Sequence, residues 1–265
     1  MDSPMNAAAN ADDLLVDRVR MPYELDSGPA SRARIGLAAL SGNQITEHEF
    51  RRILKIDGVE FYTSRIADSV NITPETLRDT EQHLADAVSL ILPGIPLDVV
   101  AFTCTSATIV NGEDRVFTRI RQARPDASCT TPITAALAAA KALGLRRIAM
   151  LTPYVPAINT MMRDYIQARN FEVPVVGSFN NGNDHEVARI TTQSVCNAVR
   201  DLAHAAPVDG VFVSCGSLRL ADAIDGLERE IGLPVFSSNH AMAWHCLRLA
   251  GITDRLSGLG ALYNL

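Results

Sequence analysis

The sequence predicts an α/β protein of two pseudo-symmetric Rossmann-like lobes, each built on a parallel sheet, with the active site in the cleft between them. The first observation behind this is an internal repeat. Pro96-Leu97-Asp98-Val99-Val100-Ala101-Phe102-Thr103-Cys104-Thr105-Ser106 aligns without a gap on Pro207-Val208-Asp209-Gly210-Val211-Phe212-Val213-Ser214-Cys215-Gly216-Ser217, and Pro, Asp, Val, Cys and Ser are identical. Each copy runs from a Pro-x-Asp turn through an apolar stretch suited to a strand buried on both faces, then delivers a thiol. The second observation is that the repeat extends: Ile35 to Leu40 resembles Ile148 to Leu151, and Ser128 to Thr131 resembles Val235 to Ser238. The third is alternation of such short apolar runs with segments of helical periodicity, the pattern of parallel sheets with right-handed crossovers.

Taken in order, each half opens on its first strand (Ile35 to Leu40; Ile148 to Leu151) and continues through a loop into a helix (Glu47 to Leu54; Ala157 to Asn170). A second strand follows (Val59 to Tyr62; Val173 to Val176), then a long amphipathic helix (Thr73 to Leu92; Asp184 to Ala205). In the first of these, Leu77, Leu84, Val88 and Leu92 form the apolar stripe. The cysteine strand comes next in both halves. Each half then closes on a short strand and a helix, with Thr131 or Ser238 as N-cap and Gly144 or Gly251 as the stop. The last helix ends the chain, so it is expected to pack back on the first half. That places a first lobe at 32–130 plus 239–265, a second at 131–238, and a loosely ordered arm at 1–31.

Composition narrows the function classes. At 265 residues, 47% apolar and 20% charged, the chain can bury a sizeable core. A net charge of -6 without a basic block gives a nucleic acid nothing to hold. The acids Asp2, Asp12, Asp13 and Asp17 precede any apolar run, unlike a secretory signal, and no stretch is long enough to span a membrane, so the expected location is cytoplasmic. The sequence is compatible with a homo-oligomer and singles out no interface. Five widely spaced cysteines fit neither a disulfide framework nor a zinc knuckle, and no histidine spacing resembles a metal site. Glycine-rich phosphate loops and Gly-x-Ser-x-Gly are absent as well, which leaves cofactor-free thiol chemistry.

The candidate catalytic residues are therefore Cys104 and Cys215, which stand at matching strand ends, where ligands bind in open parallel sheets. Thr105 and Ser106 after the first, and Gly216 and Ser217 after the second, are expected to offer hydroxyls and amides at helix N-termini, lowering both thiol pKa values and that of Cys104 more. Asn43 in the first loop and Tyr154 in the corresponding second loop are candidates for a substrate carboxylate and an oxyanion. Asn183, before a helix, is a further candidate amide. Cys129, Cys196 and Cys246, and His240 and His245 around Trp244, are read as packing residues.

Val100 to Asn111 with its Cys-Thr-Ser run, Ser214-Cys215-Gly216, Leu151-Thr152-Pro153-Tyr154 and Pro234 to Gly251 resemble the maleate isomerase and arylmalonate decarboxylase group of the aspartate/glutamate racemase superfamily. The resemblance covers 34–251. The ectoine-utilisation proteins belong to the same group, and Leu92-Pro93-Gly94 leans towards them. It implies two catalytic cysteines at Cys104 and Cys215, and a carboxylate or enediolate held by Thr105, Ser106 and Tyr154. It further implies substrate amides at Asn43 and Asn183, and no cofactor. A cysteine at the first position is lacking in the decarboxylases resembled, so Cys104 implies cis-trans isomerisation or racemisation of a small carboxylate. The first loop reads Ser-Gly-Asn where many maleate isomerases have Ser-Ser-Asn. A non-catalytic carboxylate-binding protein is the rival from another class.

Overall fold

The computed structural model describes residues 21–69 and 73–265. The expected arm falls largely on residues 1–20, outside the described ones; residues 21–28 adopt no regular element, and 29–32 form a turn and a bend before the first strand.

β1 (Ala33–Leu40), β2 (Val59–Ile66), β3 (Val99–Phe102) and β4 (Ser128–Thr130) form one sheet in the order β2-β1-β3-β4. β5 (Ile148–Thr152), β6 (Val176–Ser178), β7 (Gly210–Val213) and β8 (Val235–Ser237) form the other in the order β6-β5-β7-β8. Every pairing is parallel. The repeat survives at the level of register: Ile35 pairs with Val99, and Ile148 with Gly210, which are corresponding residues of the two halves. The duplicated aspartates also act alike. Asp98 accepts from the Arg34 amide (2.7 Å), and Asp209 from the amides of Arg146 (2.9 Å) and Arg147 (2.8 Å), so each ties its cysteine strand to the start of the neighbouring one.

The long helices differ from expectation. Thr73 to Leu92 divides into α2 (Pro74–Asp79), a 3-10 turn at Thr80–His83 and α3 (Leu84–Ser89). Thr80 turns its hydroxyl onto the Leu77 carbonyl (2.8 Å), and Glu81 is drawn inward to Arg115 (2.7 Å) and Arg119 (2.8 Å), both of which break the regular ladder. Asp184 to Ala205 likewise divides into α8 (Asp184–Val187) and α9 (Thr192–Ala205), because Asn183 and Thr191 each cap a separate start. β6 begins three residues later than Val173, since Pro174 has no amide to donate to a ladder. The helix expected to start after Cys104 is α4 (Thr105–Asn111), whereas two helices went unread in the sequence: α5 (Glu113–Ala123) and α10 (Ile224–Ile231).

The remaining helices are α1 (Thr46–Ile53), α6 (Pro132–Ala142), α7 (Pro156–Gln167) and α11 (Ser238–Leu249). Thr131 caps α6 as expected, but Ser237 rather than Ser238 caps α11. α11 packs on α6, on α1, and on β3 and β4 of the first sheet. The following segment is held by Arg32 with Asp254 and by the Tyr263 hydroxyl, which donates to the His240 carbonyl (3.0 Å). No helix among the described residues is long and apolar enough to cross a membrane.

Candidate active site

Two residues beyond the ends of β3 and β7 come Cys104 and Cys215. The residue before each thiol is pinned in the same way: the Thr103 amide donates to Ala38 (3.0 Å) and the Ser214 amide to Leu151 (2.8 Å). Both thiols line one cavity of about 520 Å³, mouth included. Asn43, Thr105, Ser106, Tyr154 and Gly216 line it with them, so all but one of the residues singled out from the sequence are brought together.

Asn183 is the exception. It caps α8 through Oδ1, which accepts from the Glu186 amide (3.2 Å), and it does not line the cavity. Its neighbour Asp184 does. Asp68 and Ser217 line it as well; neither Asp68 nor Asp184 was singled out from the sequence, because each sits in a loop or at a helix start with no repeated partner.

The two thiols are held differently. Cys104 is the N-cap of α4, and its Sγ accepts from the Ala107 amide (3.4 Å). Cys215 starts no α-helix, contrary to expectation; the chain enters a turn, with Cys215 at φ 130. That is strained ground for a residue with a side chain, worth on the order of 1–3 kcal/mol, and it persists only where neighbours enforce it. They do so here: the Cys215 amide donates to Ser238 Oγ (3.1 Å), and its Sγ accepts from the Ser217 amide (3.4 Å). Ser238 Oγ also meets Thr105 Oγ1 (3.0 Å), so one hydroxyl joins the two thiol loops. The sequence reads Ser238 as a helix cap, and the shift of that cap to Ser237 frees it for this task.

Asn43 Oδ1 accepts from the amides of Ile45 (3.1 Å) and Thr46 (2.8 Å), which leaves its Nδ2 to approach Ser217 Oγ (3.3 Å). The Tyr154 hydroxyl faces the Cys215 sulfur and Ser106, close enough to the sulfur for each to affect how the other titrates. Behind the Cys215 loop, Glu49 is 2% exposed. It accepts from the amides of Leu220 (2.6 Å) and Ala221 (2.7 Å) and from Asn239 Nδ2 (2.9 Å). Asn239 Nδ2 also donates to the Gly216 carbonyl (2.9 Å).

The expected lowering of the thiol pKa values is reversed. Burial pushes Cys104 up to about 11, with only partial relief from the Ala107 amide and Ser106. It pushes Cys215 up to about 12, where nearby Asp184 adds to the effect and the Tyr154 hydroxyl opposes it. Burial, followed by the two neighbouring sulfurs, also holds Tyr154 well above the usual phenol value. Both sulfurs are therefore overwhelmingly thiols at neutral pH. Alkylation by iodoacetamide should be slow at pH 7 and accelerate about tenfold per pH unit towards pH 10. Cys104, half-buried, is expected to react before the fully buried Cys215. Peptide mapping across pH checks this; Cys215 labelled first, or a rate flat between pH 6 and 9, would contradict it.

Comparison with known proteins gives the same arrangement a family. The family model described as arylmalonate decarboxylase matches residues 70–263. Arylmalonate decarboxylase of Bordetella bronchiseptica is 36% identical over 124 residues, covering 46% of this chain and 52% of that enzyme. Maleate isomerase of Alcaligenes faecalis is 25% identical over 248 residues, covering 87% of this chain and 96% of that enzyme. Among solved structures, the maleate cis-trans isomerase of Nocardia farcinica bound to TRIS superposes with a TM-score of 0.79 at 24% identity, covering 88% of this chain and 98% of that one. The chain belongs to the maleate isomerase and arylmalonate decarboxylase family of the aspartate/glutamate racemase superfamily.

Proposed function

We propose that the protein is a cofactor-independent isomerase that works on a small carboxylic acid through Cys104 and Cys215. The observation that carries this reading is that both thiols line one cavity, which the Tyr154 phenol lines with them. In a cis-trans isomerisation of the maleate type, Cys104 as thiolate adds to one carbon of the double bond. The π electrons move onto the conjugated carboxylate as an enediolate, which hydroxyls and amides of the cleft steady. Rotation about the new single bond, return of the electron pair and cleavage of the C–S bond release the trans acid, with Cys215 handling protons. In a racemisation, one sulfur takes the α-proton and the other returns one to the opposite face. Neither course needs an oxidant or a reductant.

Purified protein incubated in deuterated water without added cofactor, with maleate and with single enantiomers of amino and hydroxy acids, tests the reading. Fumarate from maleate marks the cis-trans isomerase, and α-deuteration with loss of optical activity marks the racemase. Carbon dioxide from an arylmalonate would instead mark a decarboxylase, and binding without any turnover would mark a carboxylate-binding protein; either would refute it.

A further inference from the structure

The cleft that holds the thiols has a polarity that the reaction chemistry does not require. None of the described residues lining it is lysine, arginine or histidine, whereas two are carboxylic acids, Asp68 and Asp184. Asp68 leaves β2 on the loop facing β1 and accepts from Ser41 Oγ (2.5 Å) and the Gly42 amide (3.0 Å), through Oδ1 in both cases. Asp184 is the first residue of α8 and accepts from Ser217, whose Oγ in turn receives Asn43 Nδ2. Among the described residues, neither acid forms an ion pair with Lys or Arg. Arg65, on β2, is taken up by the carbonyls of Leu40 (3.1 Å) and Asn43 (2.6 Å) and by Glu47. His185 stands beside both acids in the adjoining hollow at the rim, outside the thiol cavity.

A second observation points independently to a polar ligand. The Thr103 hydroxyl, on a residue 2% exposed that lines the same cavity, has no hydrogen-bond partner among the described residues. A buried hydroxyl left unpaired is costly, and a group of the ligand is what remains to satisfy it. A dicarboxylate would bring two negative charges into a cleft whose described lining already holds two carboxylates and no cation. A zwitterion would not. Its carboxylate can take the amide of Asn43 and the donors of the thiol loops, and its cation can take the acids.

Resting on the two-thiol reading above, we propose that the substrate is an α-amino acid whose ammonium group lies between Asp68 and Asp184, with its α-carbon presented to the two sulfurs. One sulfur accepts the α-proton and the other donates a proton to the opposite face, so the enantiomer forms with no net change in atoms or electrons. A metal ion is a poorer occupant than an ammonium, because no group of three or more His, Cys, Asp or Glu among the described residues is placed to ligate one.

The test compares single-enantiomer amino acids, hydroxy acids of the same carbon skeleton, and maleate in deuterated water, with and without EDTA. It uses wild type, Asp68→Asn and Asp184→Asn, with thermal melts to confirm folding. The wild type is expected to deuterate at least one amino acid with a kcat/KM about tenfold or more above its hydroxy analogue and maleate, and to be indifferent to EDTA. Each Asn variant should raise KM for that amino acid by about tenfold or more while narrowing its preference over the hydroxy acid. If hydroxy acids or maleate turn over as well as amino acids, if EDTA abolishes turnover, or if both folded variants keep the wild-type preference, the ammonium site is wrong and the two-thiol reading stands. Should no compound of the panel turn over or shield Cys104 from alkylation, both fall. The wild-type panel decides the matter even where a variant does not fold.

Discussion

Cys104→Ala and Cys215→Ala are each expected to lower turnover by about a thousandfold or more while the protein stays folded. Both proposed courses need two sulfurs in sequence, so loss of either removes a step that the other cannot supply from its own side of the cleft. The stability cost should be small for half-buried Cys104, and about 1 kcal/mol for buried Cys215, where alanine keeps the positive φ and loses only the sulfur contacts. Steady-state kinetics with circular-dichroism melts separates the two effects. Full activity in either variant sinks the two-thiol mechanism. Because burial pushes the thiols up to about 11 and about 12, the reactive thiolate grows as pH rises, and wild-type kcat/KM should climb through pH 7 to 9 without reaching a plateau.

Glu49→Ala should be the most damaging change outside the cavity. It would strand the amides of Leu220 and Ala221 and one donor of Asn239, all in the interior, and a buried donor left unpaired costs about 1–3 kcal/mol. A loss of about 3 kcal/mol or more follows, or roughly 6 °C or more in Tm for a chain of this size. Activity should fall further than stability accounts for, because Asn239 also holds the Gly216 carbonyl beside Cys215. Burial raises the Glu49 pKa above its ordinary value. Its contribution is therefore fullest below the ordinary carboxylate range and declines as pH rises through the raised value, so the gap between wild type and Glu49→Ala should narrow with increasing pH. Melts at several pH values check this; a gap that widens with pH would contradict it.

Where sequence reasoning fell short, the cause is visible in particular residues. The stripe Leu77, Leu84, Val88 is as regular as one helix would make it, yet Thr80 and Glu81 break that helix by bonding to a carbonyl behind and to arginines on α5. Asn183 precedes a helix as expected, but its side chain is used up in capping α8, and it is the next residue, Asp184, that reaches the cleft. Ser238, one place inside its helix rather than at the cap, becomes the link between the thiol loops.

The sequence by itself determined the doubled parallel sheet, the register of the two cysteine strands and the delivery of two thiols to matching ends. These follow from local periodicity and from an internal repeat, and a strand buried on both faces has few other ways to be written. Only the tertiary structure decided that Asp68 and Asp184 share the cavity with the thiols, that Glu49 braces the Cys215 loop from another element, and that burial raises both thiol pKa values where adjacent hydroxyls suggested lowering. Each of these depends on segments far apart in the chain. Desolvation is set by everything packed around a group, and no stretch of neighbouring residues records it.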